Sequence, residues 1–144
     1  MKFLSKYLCS LLLLFSFNSN AQISEEKISL IDSLKNIISI SKDDTVKINA
    51  LIQWDNEIYL FDTELDLNLN NQIKKICEFN LNKDISNLNQ IKYQKYLTIS
   101  LTNIGAIYKE KGNVKMALEY FQKSLIIAEK INDKIELSKV YNNI

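Results

Sequence analysis

Apolar residues recur along this chain at three- and four-residue steps, and nowhere do they alternate long enough to make a strand. In SEEKISLIDSLKNIISI, Ile28, Ile31, Leu34 and Ile38 form one stripe behind Ser24 and the acids Glu25 and Glu26, which predicts a short amphipathic helix. KDDTVKINALIQWDNEIYLF sets Ile48, Leu51, Trp54 and Ile58 in the same register after Asp43 or Asp44, either of which can cap a helix start. Asp62 and Thr63 offer the next cap, for ELDLNLNNQIKKICEFNL, where Leu65, Leu69, Ile73, Ile76 and Leu81 mark an apolar side among asparagines of weak helix propensity. NKDISNLNQ breaks the period and reads as a connection into a long helix from about Ile91 to Lys111. VKMALEYFQKSLIIAEKI follows, and a turn at Asn132, Asp133 and Lys134 leads into IELSKVYNNI. The pattern predicts an all-α fold of helix, turn and helix, repeated.

The only two glycines, Gly105 and Gly112, lie seven residues apart in NIGAIYKEKGNVKMALEYFQKSL, in a chain without proline. Gly112 falls at a helix end, where a left-handed residue closes the turn and glycine or asparagine adopts that conformation cheaply. Gly105 falls inside a helix, where it costs about 1 kcal/mol relative to alanine unless a close helix contact requires it. Together Leu101, Ile104, Gly105, Tyr108, Gly112, Ala117, Tyr120 or Phe121, and Ser124 stand at the offsets of a tetratricopeptide repeat, and the chain resembles that family. Leu101 replaces a frequent tryptophan and Glu129 a frequent proline. The resemblance implies stacked antiparallel helix pairs, a fragment of an α-solenoid.

LTNI at 101–104 recurs as YNNI at 141–144, 40 residues later, whereas the family's usual period is about 34. Thr45 to Leu81 reads as an earlier, degenerate repeat in which Asp55 takes the place of Gly105, putting close packing of that pair in doubt. The expected divisions are a signal peptide at 1–21, an N-terminal helix at 22–42, a degenerate helix pair at 43–82, a clear repeat at 83–131 and the first helix of an incomplete repeat at 132–144. That last helix is expected to expose Ile135, Leu137, Val140, Tyr141 and Ile144, so that charged residues at Val140 and Tyr141 would improve solubility with little loss of helix. Stacked repeats need about three units and a polar cap, so the sequence reads as the N-terminal piece of a longer protein. The competing reading is a short protein that self-associates through its C-terminal helix.

Lys2 and Lys6 precede an apolar run from Leu8 to Phe17 and small or polar residues ending at Ala21, the layout of a cleaved export signal with Gln22 as the first mature residue. The run is about half of the ~20 residues that span a bilayer. The expected location is periplasmic or otherwise outside the cytoplasm, with membrane attachment only through a part that would follow residue 144. Without the signal, Cys77 is the only thiol, so no intramolecular disulfide can form, and a buried core role is expected for it. The remaining chain carries 16 lysines against 17 acids. Every basic residue is lysine, and with neither a basic field nor an arginine fork, nucleic acid is not expected as a partner.

No histidine is present, which removes the usual general base and the commonest metal ligand, and two glycines cannot build a phosphate-cradling loop. The adjacent acids Asp43 with Asp44 and Glu25 with Glu26 read as helix-start charges. No catalytic, metal or cofactor site is expected, and no enzyme activity within these residues. The expected partner is a protein or peptide. By the family resemblance, the amide of Asn103 meets the backbone of an extended peptide in a concave groove, with Asn143 and Gln53 at the corresponding places of the neighbouring repeats. Thr102, Ala106, Lys109 and Asn142 would flank that face. Asn103 is then a solvated groove residue whose truncation scarcely alters stability, whereas Gly105 is on the packed side. The resemblance extends, in the export signal and the DDTVKINAL opening, to the sensory N-terminal part of bacterial sensor histidine kinases and related regulators, where a membrane helix and an output domain follow. The two functional readings are thus an exported binding scaffold and the sensory part of a signalling protein.

Overall fold

A computed structural model describes residues 24–144. The signal peptide expected at 1–21, with Gln22 after it, lies outside the described residues. Among these the structure is all-helical: α1 Glu25–Ile40, α2 Asp44–Ile58, α3 Thr63–Leu81, α4 Asn87–Glu110, α5 Val114–Ile131 and α6 Lys134–Asn143. None of these helices is long and apolar enough to cross a membrane. The chain divides into two compact units with the boundary after Asp32, inside α1, and the second unit, Ser33–Ile144, holds everything that follows.

Each helix starts where a short polar side chain takes up an orphan backbone donor. Asp43 accepts from the Thr45 amide at 2.7 Å, Asp62 from Leu65 at 2.9 Å, Asn113 from Met116 at 3.1 Å, and Asp133 from Ile135 and Glu136 at 3.2 Å. The hydrogen bonds from Thr45 hold the Asp43 carboxyl below its ordinary range. α4 begins four residues before the expected Ile91, because Ser86 caps it by accepting from Asn89 at 3.4 Å. Its first turn carries no periodic apolar signal, since Asn87, Leu88, Asn89 and Gln90 are all exposed. The connection is therefore only Asn82 to Ser86.

Two helix ends use the same device. At the end of α4, Gly112 has φ +74°, its amide donates to the Lys109 carbonyl, and the Asn113 amide reaches back to Tyr108 at 2.8 Å. At the end of α5, Asn132 has φ 54° and donates to Glu129, while Asp133 donates to Ala128 at 2.9 Å. In both, one left-handed residue closes a helix and the next caps the following one.

Hydrogen bonds between helices give the relative directions. Asn80, near the end of α3, donates to Asp44 at the start of α2 at 2.8 Å, so the two are antiparallel. Gly105 of α4 faces Phe121 of α5, and Thr98 faces Ser124, which makes that pair antiparallel too. By contrast Tyr96 of α4 donates to Asn49 of α2 at 2.9 Å and Asn103 to Asp55 at 3.3 Å, so α2 and α4 are parallel. Lys95 with Asp133 and Lys109 with Asn143 align α6 with α4 in the same sense.

The interior holds Leu34 from α1, Ile48 and Leu51 from α2, Leu69, Ile73 and Cys77 from α3, and Leu97, Leu101, Ile104 and Ile107 from α4. Burial pushes the Cys77 thiol up to about 12. A further cluster joins Ala117 and Phe121 of α5 to Val140 of α6, with Tyr108 and Leu125 against it. Tyr108 and Tyr120 stack with ring centroids 5.6 Å apart. The residues expected to form the packed signature are thus placed inside: Leu101, Ile104, Gly105, Ala117, Phe121 and Ser124 are all buried. Ile135, Tyr141 and Ile144 are exposed as expected, but Val140 is not: it is 0% exposed, because α6 turns that side onto α5. Leu137 is half-buried.

Candidate functional site

The last turn of α2 and the first turn of α3 meet the C-terminal half of α4 around a cleft of about 350 Å³. Its walls are Asp55, Asn56, Tyr59, Asp66, Asn103 and Glu110, with Leu60, Thr63, Ala106 and Ile107 completing it. The volume is at the lower end of the range in which ligand sites occur, roughly 300–1,000 Å³. Tyr59, Leu60 and Phe61, in the turn between α2 and α3, are exposed.

The cleft floor is a polar cluster. The Asn70 amide of α3 donates to Asp55 Oδ1 at 3.0 Å, to Asp66 Oδ1 at 2.7 Å and to its own helix at the Asp66 carbonyl, 3.1 Å. The Asn103 amide of α4 donates to Asp55 Oδ2 at 3.3 Å and to Asn70 Oδ1 at 3.1 Å. Three helices are therefore tied through side chains that are themselves buried or nearly so. Burial, above all, raises the Asp66 carboxyl to about 8, assisted by its hydrogen bond to Asp55, the Asp55 charge and Glu110. Burial also raises Asp55, against hydrogen bonds from Asp66, Asn70 and Asn103 that favour its ionised form. At neutral pH burial therefore keeps a proton on Asp66.

Of the seven residues expected on a groove, Asn103 and Ala106 line this cleft. Asn103 is not the solvated residue of the sequence reading. Both amide hydrogens are committed to Asp55 and Asn70, which leaves its carbonyl oxygen as the group to meet a ligand. Thr102 does not flank the open face: it is buried, with its hydroxyl 2.7 Å from that of Ser124, because position 102 turns toward α5. Lys109 donates to the Asn143 carbonyl at 2.6 Å, so these two meet each other at the α4–α6 contact. Gln53 and Asn142 are exposed and are not among the cleft walls.

Asp66, Asn70 and Glu110 escaped the sequence reading. Asp55 and Asp66 belong to different helices, so only the turn at 59–62 brings them together, and no local spacing marks the pair. The signal that was there is compositional: polar residues at 66, 70 and 80 occupy the inward steps of α3, in line with Leu69, Ile73 and Cys77. No family model, no curated protein and no solved structure matches this chain.

Proposed function

We propose that this protein is an exported helical-repeat scaffold of the tetratricopeptide kind that binds a protein or peptide in the cleft between α2, α3 and α4. The observation that carries this reading is the cleft itself. It is walled by Asn103 and Ala106 from one helix and by acids from all three, beside the exposed apolar turn Tyr59, Leu60 and Phe61. Support for the repeat comes from the parallel alignment of α2, α4 and α6 and from the contact of Gly105 with Phe121. Acceptors dominate the walls: the Asn103 carbonyl, the Asp55 carboxylate and Glu110. The partner group that fits is a donor, such as a lysine side chain or the N–H edge of an extended peptide, with an apolar neighbour to cover Leu60.

Selection of peptides from a random library on the protein tests this. Selected peptides should be basic and apolar, and should lose affinity for Leu60→Lys, which alters an exposed position and places a positive charge beside the cleft. Peptides that bind this variant as well as the parent would place recognition elsewhere and end the cleft reading.

A further inference from the structure

We propose that Asp55 and Asp66 form a proton-sharing carboxyl pair that couples the packing of α2, α3 and α4 to pH. The inference concerns the fold and stands whether or not the cleft binds a peptide. Asp55 is 4% and Asp66 7% exposed, and one nitrogen, Asn70 Nδ2, lies within 3.0 Å of an oxygen of each. A single amide nitrogen thus draws the two carboxyl groups into one buried cluster. Two ionised carboxylates gathered in one buried cluster repel each other, so a proton on one of them favours the packed arrangement.

Among the described residues no hydrogen bond or ion pair brings a positive charge to the pair. The groups that donate to it, Asn70 of α3 and Asn103 of α4, are neutral amides. No ion pair involves Asp55 or Asp66 among the described residues. From α4, Glu110 adds a negative charge, and its neighbour Lys111 is paired with Glu64 of α3. From the end of α2 comes the neutral phenol of Tyr59. The start of α3 favours a carboxylate at Asp66, but that field is weaker than the cost of a second buried charge beside the first.

In the unfolded chain Asp66 loses its proton near the ordinary value of 3.8, and in the fold it keeps it to about 8. The stabilisation is therefore complete below the ordinary value and drains away as pH rises toward the folded value. Across that window the folding constant falls by up to about tenfold per pH unit. Past it, two charges share the cluster and the α2–α3–α4 junction loosens. The chain is well suited to reveal this, because it has no histidine and Cys77 titrates far above the window.

The experiment is urea unfolding of the protein between about pH 5.5 and 9, read by circular dichroism, with Trp54 emission as a local probe. Trp54 is the only tryptophan and adjoins Asp55. Stability should decline with pH and level off above the Asp66 value. Asp66→Asn supplies an amide hydrogen in place of the acid proton and cannot ionise, so its profile should lose the part of the decline that approaches the Asp66 value, and its Trp54 emission should lose the matching change. A flat wild-type profile, or a wild-type slope retained in Asp66→Asn, overturns the proposal. Should that variant fail to fold, carbon-13 titration of wild-type carboxyl groups decides: one carboxyl titrating near 8 supports the pair, and none above the ordinary carboxylate range refutes it.

Discussion

Replacing Gly105 with alanine sets two opposed effects against each other, and the structure says which prevails. A helix-interior glycine costs about 1 kcal/mol relative to alanine, so propensity alone would make Gly105→Ala stabilising. The new Cβ, however, would lie 2.6 Å from Phe121 Cε1 and 2.7 Å from Cδ1. Carbon atoms settle about 3.5–4.0 Å apart, so the ring must retreat by roughly 1 Å. Phe121 is 1% exposed and packs with Ala117 and Val140, which leaves it no open side toward which to move. Overpacking of this kind costs about 1–3 kcal/mol. The net change is then a loss of up to about 2 kcal/mol, or a drop in Tm of several degrees for a domain of this size.

The same geometry makes the effect conditional on the ring. Phe121→Leu alone should destabilise, by about 1–2 kcal/mol, through the cavity it leaves. In that background the methyl group of Gly105→Ala enters vacated space, and the substitution should become neutral or stabilising. Thermal and urea unfolding of the four proteins completes a double-mutant cycle, with an expected coupling of at least about 1 kcal/mol. An additive cycle, or a Gly105→Ala protein more stable than its parent by the full propensity gain of about 1 kcal/mol, would refute the contact as the reason for the glycine.

Two further outcomes follow from side chains whose surroundings differ from the sequence reading. Asn103→Ala withdraws the donor from Asp55 Oδ2 and Asn70 Oδ1 and should cost about 1–3 kcal/mol in denaturant unfolding, whereas Gln53→Ala, at an exposed position of α2, should scarcely register. Val140→Lys forces an ammonium into the Ala117–Phe121 cluster and should cost on the order of 3 kcal/mol or more, while Tyr141→Lys, one residue on and 60% exposed, should stay within about 0.5 kcal/mol by thermal unfolding.

The helices were legible because their apolar stripes and caps are local. Asp43 and Asp62 announced two starts, and Gly112 announced an end, each through chemistry contained within a few residues. The inward face of α3 is half-legible: Leu69 and Ile73 stand out, while nothing local marks Asp66, Asn70 and Asn80 as members of the same face, because their partners lie on α2 and α4. A buried polar residue is betrayed by what it bonds to, and here most of those partners are distant in the chain. Val140 was misread for a related reason. Its burial depends on Ala117 and Phe121 of α5, and nothing within IELSKVYNNI specifies that contact.

α4 shows why a periodic pattern cannot separate faces on a helix buried from two sides. Thr102 meets Ser124 of α5, and the very next residue, Asn103, meets Asp55 of α2 and Asn70 of α3. Apolar contacts alone would let such a helix slide by a turn with little change in buried area, since Leu97, Leu101 and Ile104 would find similar neighbours. The hydrogen bonds forbid it. On one side, one of the Thr102 and Ser124 hydroxyls donates to the other and the remaining proton goes to the Thr98 carbonyl, 2.9 and 3.1 Å from the two oxygens. On the other, both hydrogens of Asn103 have assigned acceptors. A one-turn shift would strand these buried groups together, at a cost of about 1–3 kcal/mol for each left unpaired. The polar positions therefore contribute register more than net stability, and the register they impose on α4 is what holds Asn103, Ala106 and Glu110 opposite Asp55 and Asp66 across the cleft.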